Sequence, residues 1–205
     1  MLKNHKIIFI IVTIVIQLLG CKTTTNNLHD NTLDSVRNYF GKYILSDDTV
    51  MLVKSYQFLA QDKEFMKDGL TVNNREIVNS VLLHCKKYSE LIELIENFTP
   101  EDSLSSVNKI VSLNIAMYLE NKNQSYANSF IAKNIDLFTK RIEVDPFDSI
   151  AYIDYFIFNL YLYDRNTVLN SIDSMKTSNN LFSDFYYEHI LRDAIREFPD
   201  VLLGK

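Results

Sequence analysis

Residues 148–163 read Asp148-Ser149-Ile150-Ala151-Tyr152-Ile153-Asp154-Tyr155-Phe156-Ile157-Phe158-Asn159-Leu160-Tyr161-Leu162-Tyr163, and after the first two positions only Asp154 and Asn159 are conspicuously polar. Pro146 stands just ahead, and Asp148 offers a side-chain oxygen to the backbone N–H groups of a first turn, so a helix is expected from Asp148 to about Tyr163. A helix that is apolar on every side has to be covered on every side. This segment therefore belongs at the centre of a helical assembly, or presents one face to something that docks on it.

The flanking chain supplies the helices to surround it. Beyond residue 20 the only glycines are Gly41, Gly69 and Gly204, and the only prolines are Pro100, Pro146 and Pro199. Such sparse punctuation, with apolar residues three and four apart, predicts helices joined by short polar turns and no strand. The spacing predicts helices over about 31–45 (stripe Leu33, Val36, Phe40, Tyr43, Ile44), from Ser46–Asp48 to Gly69 (Val53, Tyr56, Leu59), and from Asn73 to Cys85. Others are expected over about 87–98, 100–120, 124–143, 166–176 and 181–198. Thr99-Pro100-Glu101-Asp102 is a good helix start, with a hydroxyl cap, a proline whose missing N–H is harmless and acids in the positive first turn. The fold class expected is all-α, built of antiparallel helical hairpins.

A weak internal repeat runs through these pairs. Arg141-Ile142-Glu143-Val144-Asp145-Pro146, then Ala151-Tyr152, then Tyr163-Asp164 and Ile172, resembles the end of one tetratricopeptide hairpin and the whole of the next. His84-Cys85-Lys86-Lys87-Tyr88-Ser89-Glu90-Leu91-Ile92-Glu93-Leu94-Ile95 resembles the turn and second helix of another. The resemblance covers about 75–180 and departs from the family at Phe156, Val168 and Met175, where glycine or alanine is expected. It implies a tetratricopeptide-like or compact helical-repeat bundle. It also implies that Ile153, Ile157 and Leu160 line a concave groove, with Asp154 placed to anchor a basic partner residue. The competing expectation is that the last helix folds into that groove with Leu181, Phe185, Leu191 and Ile195 and completes the core. A buried Asp154 would then need a cation or several hydrogen bonds.

At the other end, two lysines and a histidine in Met1–Lys6 precede an apolar run from Ile7 to Leu19 that is too short to cross a bilayer as a helix. Gln17-Leu18-Leu19-Gly20-Cys21 closes it and resembles the site at which bacterial prolipoproteins are acylated on the cysteine and cut before it. The resemblance implies a signal peptide over 1–20, a lipidated Cys21, a polar tether over 21–30 and one helical domain over 31–205. Two acyl chains suffice for a stable membrane anchor. Lys22 follows the cysteine where proteins kept in the inner membrane often carry Asp, which by the same resemblance favours the outer membrane.

Removal of residues 1–20 would leave 19 basic against 26 acidic residues, a net charge of −7. An acidic surface argues against nucleic acid and against the anionic face of a membrane. It suits a protein partner or a neutral or cationic ligand. With Cys21 acylated, Cys85 has no internal disulfide partner, and its apolar neighbours Val81 to Leu83 read it as a small core residue.

Chemistry-bearing patterns are scarce. The sequence holds no phosphate-cradling glycine loop, no Cys-x-x-Cys and no His-Glu-x-x-His motif. Glu188, His189 and Asp193 adjoin on one helix, and a solvated surface cluster is the expected reading rather than a metal or acid–base site. Tyr186 and Tyr187 could each stack on a sugar, but neighbours on a helix point about 100° apart and make no shared platform. Five tripeptides such as Asp34-Ser35-Val36 and Asp148-Ser149-Ile150 resemble an O-glycan acceptor of exported bacterial proteins, at positions that helix capping alone would favour. The function expected is a non-catalytic, protein-binding adaptor held in the cell envelope by the Cys21 lipid, with no cofactor and no metal. The alternatives are an immunity-type lipoprotein that neutralises an envelope toxin, an envelope hydrolase, and a small-molecule binder using the tyrosine-rich region.

Overall fold

Every regular element among the described residues is helical, as the sparse glycine and proline and the three- and four-residue apolar spacing predict. The computed structural model describes residues 27–68, 70–100, 103–178 and 181–204. The expected signal segment, Cys21, Gly69 and the acids Glu101 and Asp102 lie outside them. No helix among the described residues is long and apolar enough to cross a membrane. The chain divides into two compact units between Lys87 and Tyr88, where the sequence reading treats 31–205 as one domain.

The first unit holds α1 (Asn27–Ser46), α2 (Thr49–Gln61), α3 (Lys63–Asp68) and α4 (Val72–His84). Helix α1 begins four residues earlier than expected and takes Asn27 to Asp30 from the supposed tether. No glycine or proline stops it there, and extending a formed helix costs little. Asp47, in the left-handed region at φ 55°, turns the chain, and the Asp48 carboxylate accepts from the Val50 N–H at 2.9 Å to cap α2. The buried stripe of α2 is Leu52, Ser55 and Leu59, so Val53 is a correction: it is exposed, and the core register lies one residue earlier. Ser55 allows that close approach by donating to the Val36 carbonyl at 3.0 Å.

The expected single helix to Gly69 is broken at Asp62, whose carboxylate accepts from the Phe65 N–H at 2.9 Å and from the Thr32 hydroxyl at 2.7 Å. Helix α4 ends with Lys86 at φ 56°, while the Lys87 N–H reaches back to the Leu82 carbonyl. That is the Schellman pattern formed without glycine. Cys85 is half-buried, its thiol 3.9 Å from the Leu52 carbonyl. His84 packs edge-on against Phe40 and Tyr43, and burial lowers its pKa despite the Ser80 carbonyl that its Nδ1 meets at 2.8 Å.

The second unit holds α5 (Tyr88–Glu96), α6 (Ser103–Glu120), α7 (Asn128–Val144), α8 (Ser149–Leu162), α9 (Arg165–Ser178) and α10 (Arg192–Glu197). A π-helical stretch, Tyr186–Leu191, leads into α10, and a 3₁₀ turn, Asp200–Leu203, follows it. Each of α5 to α8 packs on its successor, and α10 packs on both α8 and α9. Its core runs through Leu91, Ile131, Phe138, Ile172, Tyr187, Leu191 and Ile195. Lys109 closes the end of α5 by donating to the Phe98 carbonyl at 2.6 Å, and Arg165 donates to the Ile195 carbonyl and, at 2.9 Å, to that of Phe198. Helix α7 starts at Asn128 rather than 124, because residues 121–127 form successive turns held in part by the Tyr126 phenol donating to Asn121.

Candidate functional site

Helix α8 is the hub of the second unit, and the chain around Asp148 explains its start. The Asp148 carboxylate accepts from the Ala151 N–H at 2.9 Å and from Arg141 at 2.6 and 3.2 Å. Burial alone would raise its pKa. The Ala151 N–H, the hydrogen bond and charge of Arg141, and the Ile150 N–H outweigh burial and hold it below the ordinary carboxylate range. Asp148→Ala should therefore cost about 2 kcal/mol, since it removes a cap and strands half-buried Arg141. Thermal denaturation followed by circular dichroism would check this. A loss confined to low ionic strength would show that the ion pair, and not the cap, carries the effect.

Arg141 is also stacked 5.5 Å over the Phe138 ring, so its guanidinium is committed twice. Asp154, one turn and a half along α8, receives only its field. It has no hydrogen bond or ion pair among the described residues, and its pKa is pushed up to about 6 by burial, against the attraction of Arg141 and with the repulsion of Asp148. The cation or hydrogen bonds that burial would demand are thus missing, so the proton is held to a higher pH than an exposed carboxylate would hold it and the charged form is penalised above about 6.

The other residues expected to form a groove with Asp154 do not lie in an open one. Leu160 is core at 1% exposure, and Ile153 and Ile157 are half-buried. The last segment does complete the core, though with different side chains than the spacing suggests. Leu191 and Ile195 are buried, whereas Leu181 and Phe185 are exposed, Phe185 at 64%. Phe182 and Tyr187 take the inner positions: Phe182 lies edge-on to Tyr152 at 5.3 Å, and Tyr187 is fully buried. Residues 181–183 precede the helix instead of belonging to it, and the π-helical Tyr186–Leu191 that follows departs from the regular α spacing on which the expectation rests.

Among the described residues, an opening lies on another side of α8. A cleft of about 390 Å³ is lined by Thr139 and Glu143 of α7, Tyr155 and Phe156 of α8, and Ser174 and Met175 of α9. A second hollow of about 250 Å³ shares Tyr155, Phe156 and Ser171 with it and continues to Asn159 and Tyr163. Helix α8 packs extensively on α7 and much less on α9. Phe156 lines both hollows, Met175 the first and Val168 the second.

A different surface lies at the turn from α7 to α8. Val144, Phe147 and Ile150 are 87%, 67% and 63% exposed, within seven residues of chain. The turn is not loose: the Asp145 carboxylate accepts from the Phe147 N–H at 2.9 Å, and the Asp148 N–H donates to the Asp145 carbonyl at 3.0 Å.

Of the charged cluster on the last helices, Glu188 pairs with Lys176 at 3.2 Å and Arg192 at 3.6 Å, while Asp193 meets Arg196 at 3.4 Å. These pairs do not bring His189 together with carboxylates as a site. Among the described residues no group of three or more His, Cys, Asp or Glu side chains is arranged to hold a metal ion. Compared with known proteins, the chain matches no family model, no curated protein and no solved structure.

Proposed function

We propose that this protein is a non-catalytic, protein-binding adaptor tethered to the cell envelope through a lipid on Cys21. The exposed apolar corner of Val144, Phe147 and Ile150 carries the reading. Three large apolar side chains held in water by a hydrogen-bonded turn are the kind of surface that marks a protein contact. The tether is supported by the Gln17-Leu18-Leu19-Gly20-Cys21 signal, and Lys22 supports an outer-membrane address. The immunity-type alternative has one observation in its favour. Exposed Glu143 and Asp145 flank the corner, and an acidic rim favours a basic partner.

A photo-crosslinking residue in place of Phe147, introduced into the full chain in intact cells, tests the proposal, with the same residue at exposed Asn170 as control. The expected result is one dominant protein adduct from position 147, none from 170, and loss of both adduct and membrane fractionation in a Cys21→Ala version. Many weak adducts, or none, would sink the adaptor reading. An adduct that disappears at raised ionic strength would favour the immunity type.

A further inference from the structure

We propose that Asp154 regulates the apolar corner. On losing its proton it competes with Asp148 for the Arg141 guanidinium and loosens the turn that holds Phe147 in water, so the corner binds its partner more tightly in acid than at neutral pH. The proposal rests on the reading of that corner as a docking surface.

One guanidinium ties the end of α7 to the start of α8. Arg141 holds the Asp148 carboxylate with Nε and Nη2, and the same carboxylate caps α8 at Ala151. Val144, Phe147 and Ile150 all lie on the chain between Arg141 and Ala151, so a slack cap frees the segment that displays them. The Nη1 of Arg141 makes no hydrogen bond among the described residues. The side chain is 38% exposed and lies over the Phe138 ring, a face across which it can slide without leaving a closed core.

The groups that face Asp154 decide what its ionisation does. Arg141 comes from α7, the Asp148 carboxylate from the cap of its own helix, and the Tyr186 phenol, which donates to the Ser149 carbonyl, from the last segment. Burial raises the phenol above its ordinary value of 10, so it stays neutral wherever a carboxyl titrates. The charges of α9 and of the segments after it pair among themselves: Arg165 with Asp200, Arg192 with Asp173, Lys176 with Asp184. Among the described residues, Arg141 is thus the cation that acts on Asp154. In acid Asp154 is neutral and Arg141 serves Asp148 alone. Once the proton leaves, a buried carboxylate without a hydrogen bond meets the repulsion of Asp148 and the attraction of Arg141. Movement of the guanidinium toward Asp154 gives the new charge a donor and weakens the hold on Asp148. The midpoint falls where the carboxyl titrates, at about 6. A corner less firmly held has to be ordered again on binding, which weakens the complex.

The chain contains no tryptophan, so Phe147→Trp, at a 67% exposed position, puts a single fluorophore on the corner of the full chain. In a mild non-ionic detergent its anisotropy should fall between about pH 5 and about pH 8, with one midpoint near 6. With Asp154→Asn added, it should stay at the acid value throughout. The transition should survive His189→Asn and Glu143→Gln, which remove the exposed histidine of the same unit and the exposed acid beside the corner. A flat profile in the parent overturns the switch, as does a transition that persists in Asp154→Asn or vanishes in His189→Asn. In isolated envelopes, the adduct from a photo-crosslinking residue at position 147 should be about fivefold more abundant at about pH 5 than at about pH 8, and equally abundant at both with Asp154→Asn. Equal yields in the parent would overturn control of docking by Asp154. No adduct at either pH would sink the docking reading and the regulation with it, whereas a flat anisotropy profile beside a strong adduct would sink the regulation alone.

Discussion

Asn134→Leu is expected to destabilise the second unit by about 3 kcal/mol, while Asn114→Leu and Asn134→Leu together should cost less than half of that. Both residues sit in the interface of α6 and α7, Asn134 at 0% and Asn114 at 8% exposure. The Asn114 amide donates to the Asn134 side-chain oxygen at 2.7 Å, and the Asn134 amide donates to the Val111 carbonyl at 3.3 Å. Changing Asn134 alone leaves a buried amide donor with neither water nor protein to bond. Changing both removes the polar group along with its need, and puts two apolar side chains face to face. Denaturant unfolding of the wild type, both single variants and the double variant gives the coupling energy directly. If the two single losses simply add, the pair is not a closed buried unit and this account of the interface fails.

Asp154→Asn should stabilise the same unit by about 2 to 3 kcal/mol at pH 8 and have almost no effect at pH 4 or below. The carboxyl titrates near 6 in the folded protein, above its ordinary 3.8. Below pH 3.8 both folded and unfolded chains hold the proton, so the residue imposes no pH dependence. Between 3.8 and about 6 the folded chain keeps the proton and the unfolded chain has lost it, so stability falls as pH rises. Above about 6 both are charged and the penalty is at its full value, about two units at 1.36 kcal/mol each. Asparagine never carries that charge. The measurement is the difference between variant and wild type in unfolding free energy across the range. A difference that stays constant from pH 4 to pH 8, or that has the opposite sign at pH 8, would show that burial does not raise this carboxyl.

Helix placement was largely legible in the chain, because it depends on local rules. Asp148 before Ala151, the left-handed turn after Ser46, and apolar residues at three- and four-residue spacing each act within one or two turns of helix. Where the helices differ from expectation, the causes are equally local. Asp62 serves as a cap inside what reads as one continuous helix, and the last helix starts only at Asp184 before passing through a π-helical stretch, so that Phe182 and Tyr187 rather than Leu181 and Phe185 take the inner positions. Neither is marked by glycine or proline.

The surfaces were harder to read. Ile153, Asp154, Ile157 and Leu160 were expected to share a groove because of a resemblance to repeat hairpins, but Leu160 is core and the hollows lie on the side of Tyr155 and Asn159. Phe156, Val168 and Met175, whose bulk departs from close-packed hairpins, line those hollows. What bulk does to the spacing of two helices, however, depends on what lies across from it. The same holds for Arg141: its sequence neighbours say nothing of whether it turns to Asp148 or to Asp154, and only the folded chain commits it to the first.

The amino-acid sequence thus specifies the all-α class, the order of the helices and the caps at Asp48 and Asp148, since propensity, capping and apolar period are properties of neighbours along the chain. Tertiary structure alone decides which face of α8 is closed by the last helix, which stays open toward α9, and which carboxylate is left without a partner for its charge. Those outcomes turn on side chains brought together across tens of residues, where packing volume and burial outrank any local pattern.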